Sequence, residues 1–182
     1  MSGICGLFNL DHAPVAQADL RAMTAMLECR GPQGTGQWRN GALGLGHTLL
    51  ATTPELLYER QPVEHAQTGC SITADVRLDN RDELLGALGL FKRSRSIGDA
   101  ELILNAYLAW GEQCLKRLLG DFAFAIWDPR CRTLFCARDH FGLRPLYYHH
   151  VSRQRFVFAS DARAILVLAQ VPYRLNMGRI AD

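Results

Sequence analysis

Phe122-Ala123-Phe124-Ala125-Ile126-Trp127, closed by Asp128-Pro129-Arg130, opens the part of the chain whose reading decides the fold. The run reads as a short apolar strand and the Asp-Pro-Arg triplet as its hairpin connection. Residues 133–137, 146–149 and 156–159 repeat the pattern, with Ser152-Arg153-Gln154 as a second connection. Strands joined by consecutive hairpins must pair antiparallel and cannot build an all-parallel sheet.

Outward from this region, residues 161–168 read as a helix capped by Ser160 or Asp161, and the tail from Pro172 to Asp182 reads as the start of a connection. A domain over 1–171 and a linker over 172–182 are therefore expected, with residue 182 a boundary rather than a natural end. Upstream, residues 99–110 form a strongly apolar helix through Leu102, Ile103, Ala106 and Tyr107, and 112–119 a shorter one. Asn80-Arg81-Asp82-Glu83 opens a helix to residue 90. Residues 42–50 and 70–79 read as strands around a polar stretch holding Pro54 and Pro62. Arg30-Gly31-Pro32-Gln33-Gly34-Thr35-Gly36 reads as a loop, 17–29 as an amphipathic helix on Leu20, Met23 and Leu27, and 3–10 as a buried strand. Strands at both ends with helices between them argue for an α+β layered domain.

Composition narrows the function classes. The 182 residues carry 20 Lys+Arg against 18 Asp+Glu and are 48% hydrophobic, which excludes a disordered or fibrous chain. A net charge of +2, with Lys92-Arg93-Ser94-Arg95 as the densest basic run, argues against a nucleic-acid partner. No apolar run approaches the roughly 18 residues of a membrane span, and the start has no basic leader, so no membrane partner and a cytoplasmic location are expected. The six cysteines, Cys5, Cys29, Cys70, Cys114, Cys131 and Cys136, form no Cys-x-x-Cys pair. His140, His149 and His150 have no ligand-spaced carboxylate or thiol, so no metal site is expected.

Several blocks together resemble the amino-terminal, class II glutamine amidotransferase domain of the asparagine synthetase family. They are Ser2-Gly3-Ile4-Cys5-Gly6-Leu7-Phe8, Arg30-Gly31-Pro32, Gly46-His47, Asp99-Ala100-Glu101-Leu102-Ile103-Leu104, Gly120 through Asp128, Ala137-Arg138-Asp139, Phe141-Gly142 through Pro145-Leu146-Tyr147-Tyr148, and Phe158-Ala159-Ser160. Their order and spacing over nearly the whole chain carry the resemblance. It implies the N-terminal nucleophile (Ntn) hydrolase fold, a four-layer αββα sandwich of two antiparallel sheets.

The resemblance also implies a site. Active members begin with cysteine once the initiator Met is removed, and the freed α-amine, with an ordinary pKa of about 8, acts as base for its own side chain. The ungapped match puts Ser2 in the nucleophile's place and keeps Gly3, Gly6 and Phe8. A match shifted by three makes Cys5 the alternative nucleophile and requires three residues beyond Met1 to be removed. Where the family's Arg grips the glutamine carboxylate, this chain has Leu49 in His47-Thr48-Leu49-Leu50. Where the family has Asn-Gly-Glu, it reads Ala74-Asp75-Val76, placing Ala74 and Asp75 in the substrate pocket. Asp99 matches the residue that binds the glutamine amino group, with a helix cap as the equal alternative.

Three functions stay open. The first is a domain of an asparagine-synthetase-like, ATP-dependent amide-forming enzyme, without glutaminase activity, acting as scaffold or partner surface. The second is a glutamine hydrolase supplying ammonia for asparagine synthesis. The third is a module binding an amine or peptide between Asp75 and Asp99. No pyrophosphate-binding loop occurs, so no cofactor is expected on this chain, and ATP and Mg only on an absent synthetase module. That fused or associated module, glutamine or a small-molecule amine, and a second copy in a homodimer are the partners considered.

Overall fold

The computed structural model describes residues 1–57, 59–94 and 96–173. In chain order the elements are β1 (Gly3–Asn9), α1 (Gln17–Ala25), β2 (Thr35–Asn40), β3 (Leu43–Thr48), β4 (Val63–Glu64), β5 (Ser71–Leu78), α2 (Arg81–Ala87), α3 (Asp99–Trp110), β6 (Gly120–Asp128), β7 (Thr133–Arg138), β8 (Tyr147–Val151), β9 (Arg155–Ala159) and α4 (Ala162–Leu166). One sheet runs β2-β3-β1-β9-β8 and the other β4-β5-β6-β7, with antiparallel pairing between neighbouring strands of both.

Three buried clusters define the layers. Cys5, Leu7, Val157 and Ala159 on one face of the first sheet pack against Leu20 and Met23 of α1 and Ala164 and Ile165 of α4. Ile72, Val76, Phe122, Phe124 and Ile126 of the second sheet pack against Leu84, Leu102, Ile103 and Ala106 of α2 and α3. Between the sheets lie Ile4, Leu43, Leu45, Ala123, Ala125, Trp127 and Phe158. The result is the α-β-β-α order that the resemblance implies.

The alternation in β6 explains how both its faces are buried. Its large residues, Phe122, Phe124 and Ile126, point to the helices, while Ala123 and Ala125 let the opposite sheet approach. Within the first sheet, Gly6 pairs in register with Phe158, whose ring covers it: a Cβ on Gly6 would lie 2.4 Å from that ring.

Several boundaries differ from the sequence reading. β2 begins at Thr35, inside the stretch expected as loop, and the two-residue β4 was not expected at all. Both are edge strands, largely exposed, so neither carries a period-two apolar pattern; pairing with β3 and β5 creates them. α1 ends at Ala25 in a series of turns rather than at residue 29, and residues 111–117 form a 3-10 helix. The tail expected as a linker lies, from residue 174 onward, outside the described residues.

The start of α4 follows the capping rule. The Asp161 carboxylate accepts a hydrogen bond from the Arg163 backbone N–H at 2.9 Å. Asp161→Ala is expected to cost about 1 kcal/mol in urea unfolding, the usual value for losing a cap.

Candidate functional site

Ser2 enters β1 from its amino-terminal side and is buried, while Met1 before it is half exposed. The Ser2 hydroxyl accepts a hydrogen bond from the Leu50 backbone N–H at 3.1 Å, and the Ser2 carbonyl accepts one from Arg30 Nε at 3.3 Å. Arg30 comes from the turn after α1. That turn lies against the end of β3 so closely that a Cβ on Gly31 would stand 2.4 Å from the Thr48 carbonyl carbon and oxygen, so only glycine fits. The Arg-Gly-Pro block thus delivers a guanidinium to the chain's first residues.

Asp75 meets it from the other sheet. Ala74 belongs to the helix-facing core, so the next residue along β5, Asp75, faces the space between the sheets. Its carboxylate lies 3.9 Å from Arg30 Nη2 and 3.4 Å from Arg144 Nη1. The Ser2 backbone N–H helps to hold it ionised, as do the two guanidiniums and the chain's amino group, yet burial outweighs them and raises the Asp75 pKa. Conversely, partial burial lowers the pKa of the Met1 α-amine while Asp75 pulls it upward. Arg30 Nη2, Asp75 Oδ2 and Arg144 Nε are buried and make no hydrogen bond among the described residues, so charge rather than directed bonding holds the two guanidiniums to this carboxylate.

The other candidates are placed elsewhere. Cys5 is fully buried in β1 with its thiol toward Thr24 of α1, and burial pushes its pKa up to about 12. A thiol so placed is neither accessible nor ionised at neutral pH. The Ala74 side chain does not reach Ser2; its backbone N–H donates to Gln61 Oε1 at 2.6 Å. Asp99 opens α3, where it accepts from the Leu78 N–H at 3.0 Å and from Arg81 Nη1, so its charge is matched within the fold. Leu78 is three positions from Asp75, about 10 Å along the strand, so the two carboxylates do not form one acidic pocket.

Glu59 holds the capping position first considered for Asp99. Its Oε1 accepts from the Ala100 and Glu101 N–H groups at 2.9 and 3.1 Å, and its Oε2 accepts from Gln61 Nε2 at 3.2 Å. Burial, reinforced by Asp99, raises the Glu59 pKa to about 7 despite these donors. His47 of β3 is also buried, which lowers its pKa to about 4, and its ring donates toward the Ala74 carbonyl. The roles of Arg30, Arg144, His47, Glu59 and Gln61 were not read from the sequence. Most of their partners are distant in the chain, and of the five only Arg30, His47 and Arg144 lie in motifs that carried a local signal. No group of three or more His, Cys, Asp or Glu side chains suited to a metal occurs among the described residues. No described helix is long and apolar enough to cross a membrane.

Comparison with known proteins agrees with this architecture. The family described as a glutamine amidotransferase domain matches residues 1–181. Asparagine synthetase [glutamine-hydrolyzing] 3 of Bacillus subtilis (strain 168) is 31% identical over 190 residues, covering 100% of this chain and 30% of its own length. Asparagine synthetase [glutamine-hydrolyzing] 1 of the same organism is 32% identical, over 92% of this chain and 27% of its own. Amidase chry2 of Gibberella zeae is 27% identical, over 88% and 25%. The chain thus spans about a quarter to a third of these relatives. Among solved structures, glutamine phosphoribosylpyrophosphate amidotransferase from B. subtilis superposes with a TM-score of 0.70 at 21% identity, covering 91% of this chain and 43% of that one, and so shares its fold. The chain belongs to the glutamine amidotransferase domain family and is an asparagine-synthetase-like member of it.

Proposed function

We propose that this domain does not hydrolyse glutamine and serves as the scaffold or partner surface of an asparagine-synthetase-like, amide-forming enzyme. The observation that carries this reading is the Asp75 carboxylate beside the Ser2 N–H, between Arg30 and Arg144. If Met1 is removed, the Ser2 α-amine needs to be neutral to take the hydroxyl proton. The Asp75 carboxylate pulls toward the ammonium form, opposing burial and the two guanidiniums, which pull the other way. The same negative charge opposes an oxyanion developing at an attacked amide, which such sites stabilise with donors. Leu49 supplies no cation for a glutamine carboxylate, and Asp99 is already matched by Arg81.

In this reading the ATP- and Mg-dependent activation of a carboxylate belongs to a separate synthetase-type module, fused or associated, in the cytoplasm. The similarity to glutamine-hydrolyzing asparagine synthetases favours a second reading, in which Ser2 works as a slow glutaminase. Glutamate release from glutamine, measured on the purified chain after intact mass has established its first residue, separates the two. The expected result is no release above background from the folded chain, whether it begins at Met1 or Ser2. Turnover that disappears in Ser2→Ala overturns the proposal.

A further inference from the structure

β7, β8 and the loop between them form one side of the sandwich, where an edge strand of each sheet is exposed. Phe141, Leu143, Tyr147 and Tyr148, four large apolar or aromatic residues within eight positions, are 85%, 56%, 51% and 71% exposed there. Residues 129–154 carry five arginines and three histidines against a single acid, Asp139, a surplus of four positive charges on a chain whose total is +2. Asp139 is buried, and its carboxylate accepts from the Leu143 and Arg144 N–H groups at 3.0 and 3.1 Å. Arg130 and Arg144 are paired with Asp128 and Asp75, whereas Arg132, Arg138 and Arg153 are exposed and make no salt bridge among the described residues. β8 pairs with β9 residue for residue, without a bulge, and no described strand takes its outer edge, so backbone N–H and C=O groups stay unpaired along it. It holds neither proline nor lysine, the residues that commonly blunt such an edge. Tyr148 stacks on Phe156 with ring centroids 5.8 Å apart, and the His150 ring lies 6.1 Å from the same ring, so an aromatic row runs beside the edge.

We infer that β8 takes up an extended, acidic polypeptide segment of a partner as a sixth strand of the first sheet, its carboxylates toward Arg138 and Arg153 and its apolar side chains against the exposed aromatic residues. The unpaired backbone groups of β8 require a second backbone in strand register, which a nucleic acid does not supply. The unmatched arginines require carboxylates, and the exposed apolar side chains require cover. A second copy of this chain fits less well, because pairing β8 with itself about a two-fold axis brings two positive surfaces together. The inference deepens the partner-surface half of the proposed function and rests on that half.

Fluorescence anisotropy of a short labelled peptide of alternating glutamate and valine, with amide NMR shifts of the 182-residue chain, tests this at about 0.15 M salt. Saturable binding with a Kd below about 1 mM is expected, with the shifts concentrated in Tyr147–Val151. The lysine–valine counterpart is expected not to bind, and the fully N-methylated glutamate–valine peptide, which has no ladder donors, to bind about tenfold more weakly or less. Tyr148→Glu, and separately the double variant Arg138→Glu/Arg153→Glu, are each expected to weaken binding by about tenfold or more while thermal unfolding remains cooperative. No saturable binding by the folded wild type overturns the inference, as does equal binding of the lysine–valine or N-methylated peptide, or unchanged affinity in both variants. Tighter binding of an oligothymidylate, or a dimer in sedimentation that Tyr148→Glu dissolves, overturns it in favour of a nucleic acid or a second copy. Glutamate release on the same samples is a separate outcome: turnover overturns the non-hydrolysing half of the proposed function and leaves the surface standing, whereas absent peptide binding overturns the surface alone.

Discussion

Asp75→Ala is expected to lower the unfolding free energy by about 3–5 kcal/mol, the usual cost of removing one partner from a buried ion pair. Arg30 and Arg144 both face this carboxylate, and their side chains are only 17% and 12% exposed. Without it, two positive charges stand close together beneath the chain's amino terminus, with little water to screen them. A domain of this size has about 5–15 kcal/mol in total, so the variant should be near its unfolding threshold at 37 °C. Urea denaturation of wild type, Asp75→Ala and the triple variant Arg30→Met/Asp75→Ala/Arg144→Leu provides the check. The triple variant is expected to recover most of the loss, because apolar replacement of a whole buried ionic group is often close to neutral. Equal midpoints for wild type and Asp75→Ala would show that the triad contributes nothing.

The second large effect is hidden in the wild type by cancellation. His47 has a folded pKa of about 4 against 6.5, so between these values the unfolded chain binds more protons and stability rises as pH rises. Glu59 has a folded pKa of about 7 against 4.5, so the folded chain holds the extra proton and stability falls as pH rises through that window. Each slope integrates to about 3 kcal/mol at most, with opposite sign. A flat wild-type contribution from this pair is therefore expected across the overlap. In Glu59→Gln the His47 slope stands alone and the difference from wild type grows as pH rises. In His47→Gln the Glu59 slope stands alone and stability drops over the same interval. Urea midpoints at several pH values measure both, and subtracting the wild-type curve removes every group the proteins share, Asp75 included. Parallel curves for all three proteins would sink the assignment.

Much of this fold was legible where an element carries its own pattern. α3 was expected at 99–110 and is found there, because its apolar residues repeat at helical spacing and Gly111, with φ at 59°, ends it. β6 was legible because its two covered faces leave a continuous apolar run with an Asp-Pro turn behind it. β2 and β4 were not, since an exposed edge strand is specified by its neighbour's unpaired backbone rather than by its own side chains. At the site, the family blocks pointed to the neighbourhood of Ser2. They did not indicate that Arg30, Asp75 and Arg144 converge there, that Arg81 takes up Asp99, or that Glu59 caps α3.

By itself the sequence determined the α+β class, the family, and the departures at Ser2, Leu49 and Asp75, because these depend on residue identity and on short-range periodicity. Only the tertiary structure decided which charges meet. Arg30, Asp75 and Arg144 come from three segments as far as 114 positions apart, and Glu59 reaches an α3 terminus 41 and 42 positions away. Whether a carboxylate is matched by a guanidinium or spent on backbone N–H groups depends on distance and burial. Those follow from how the two sheets stack, which no local pattern in the chain encodes.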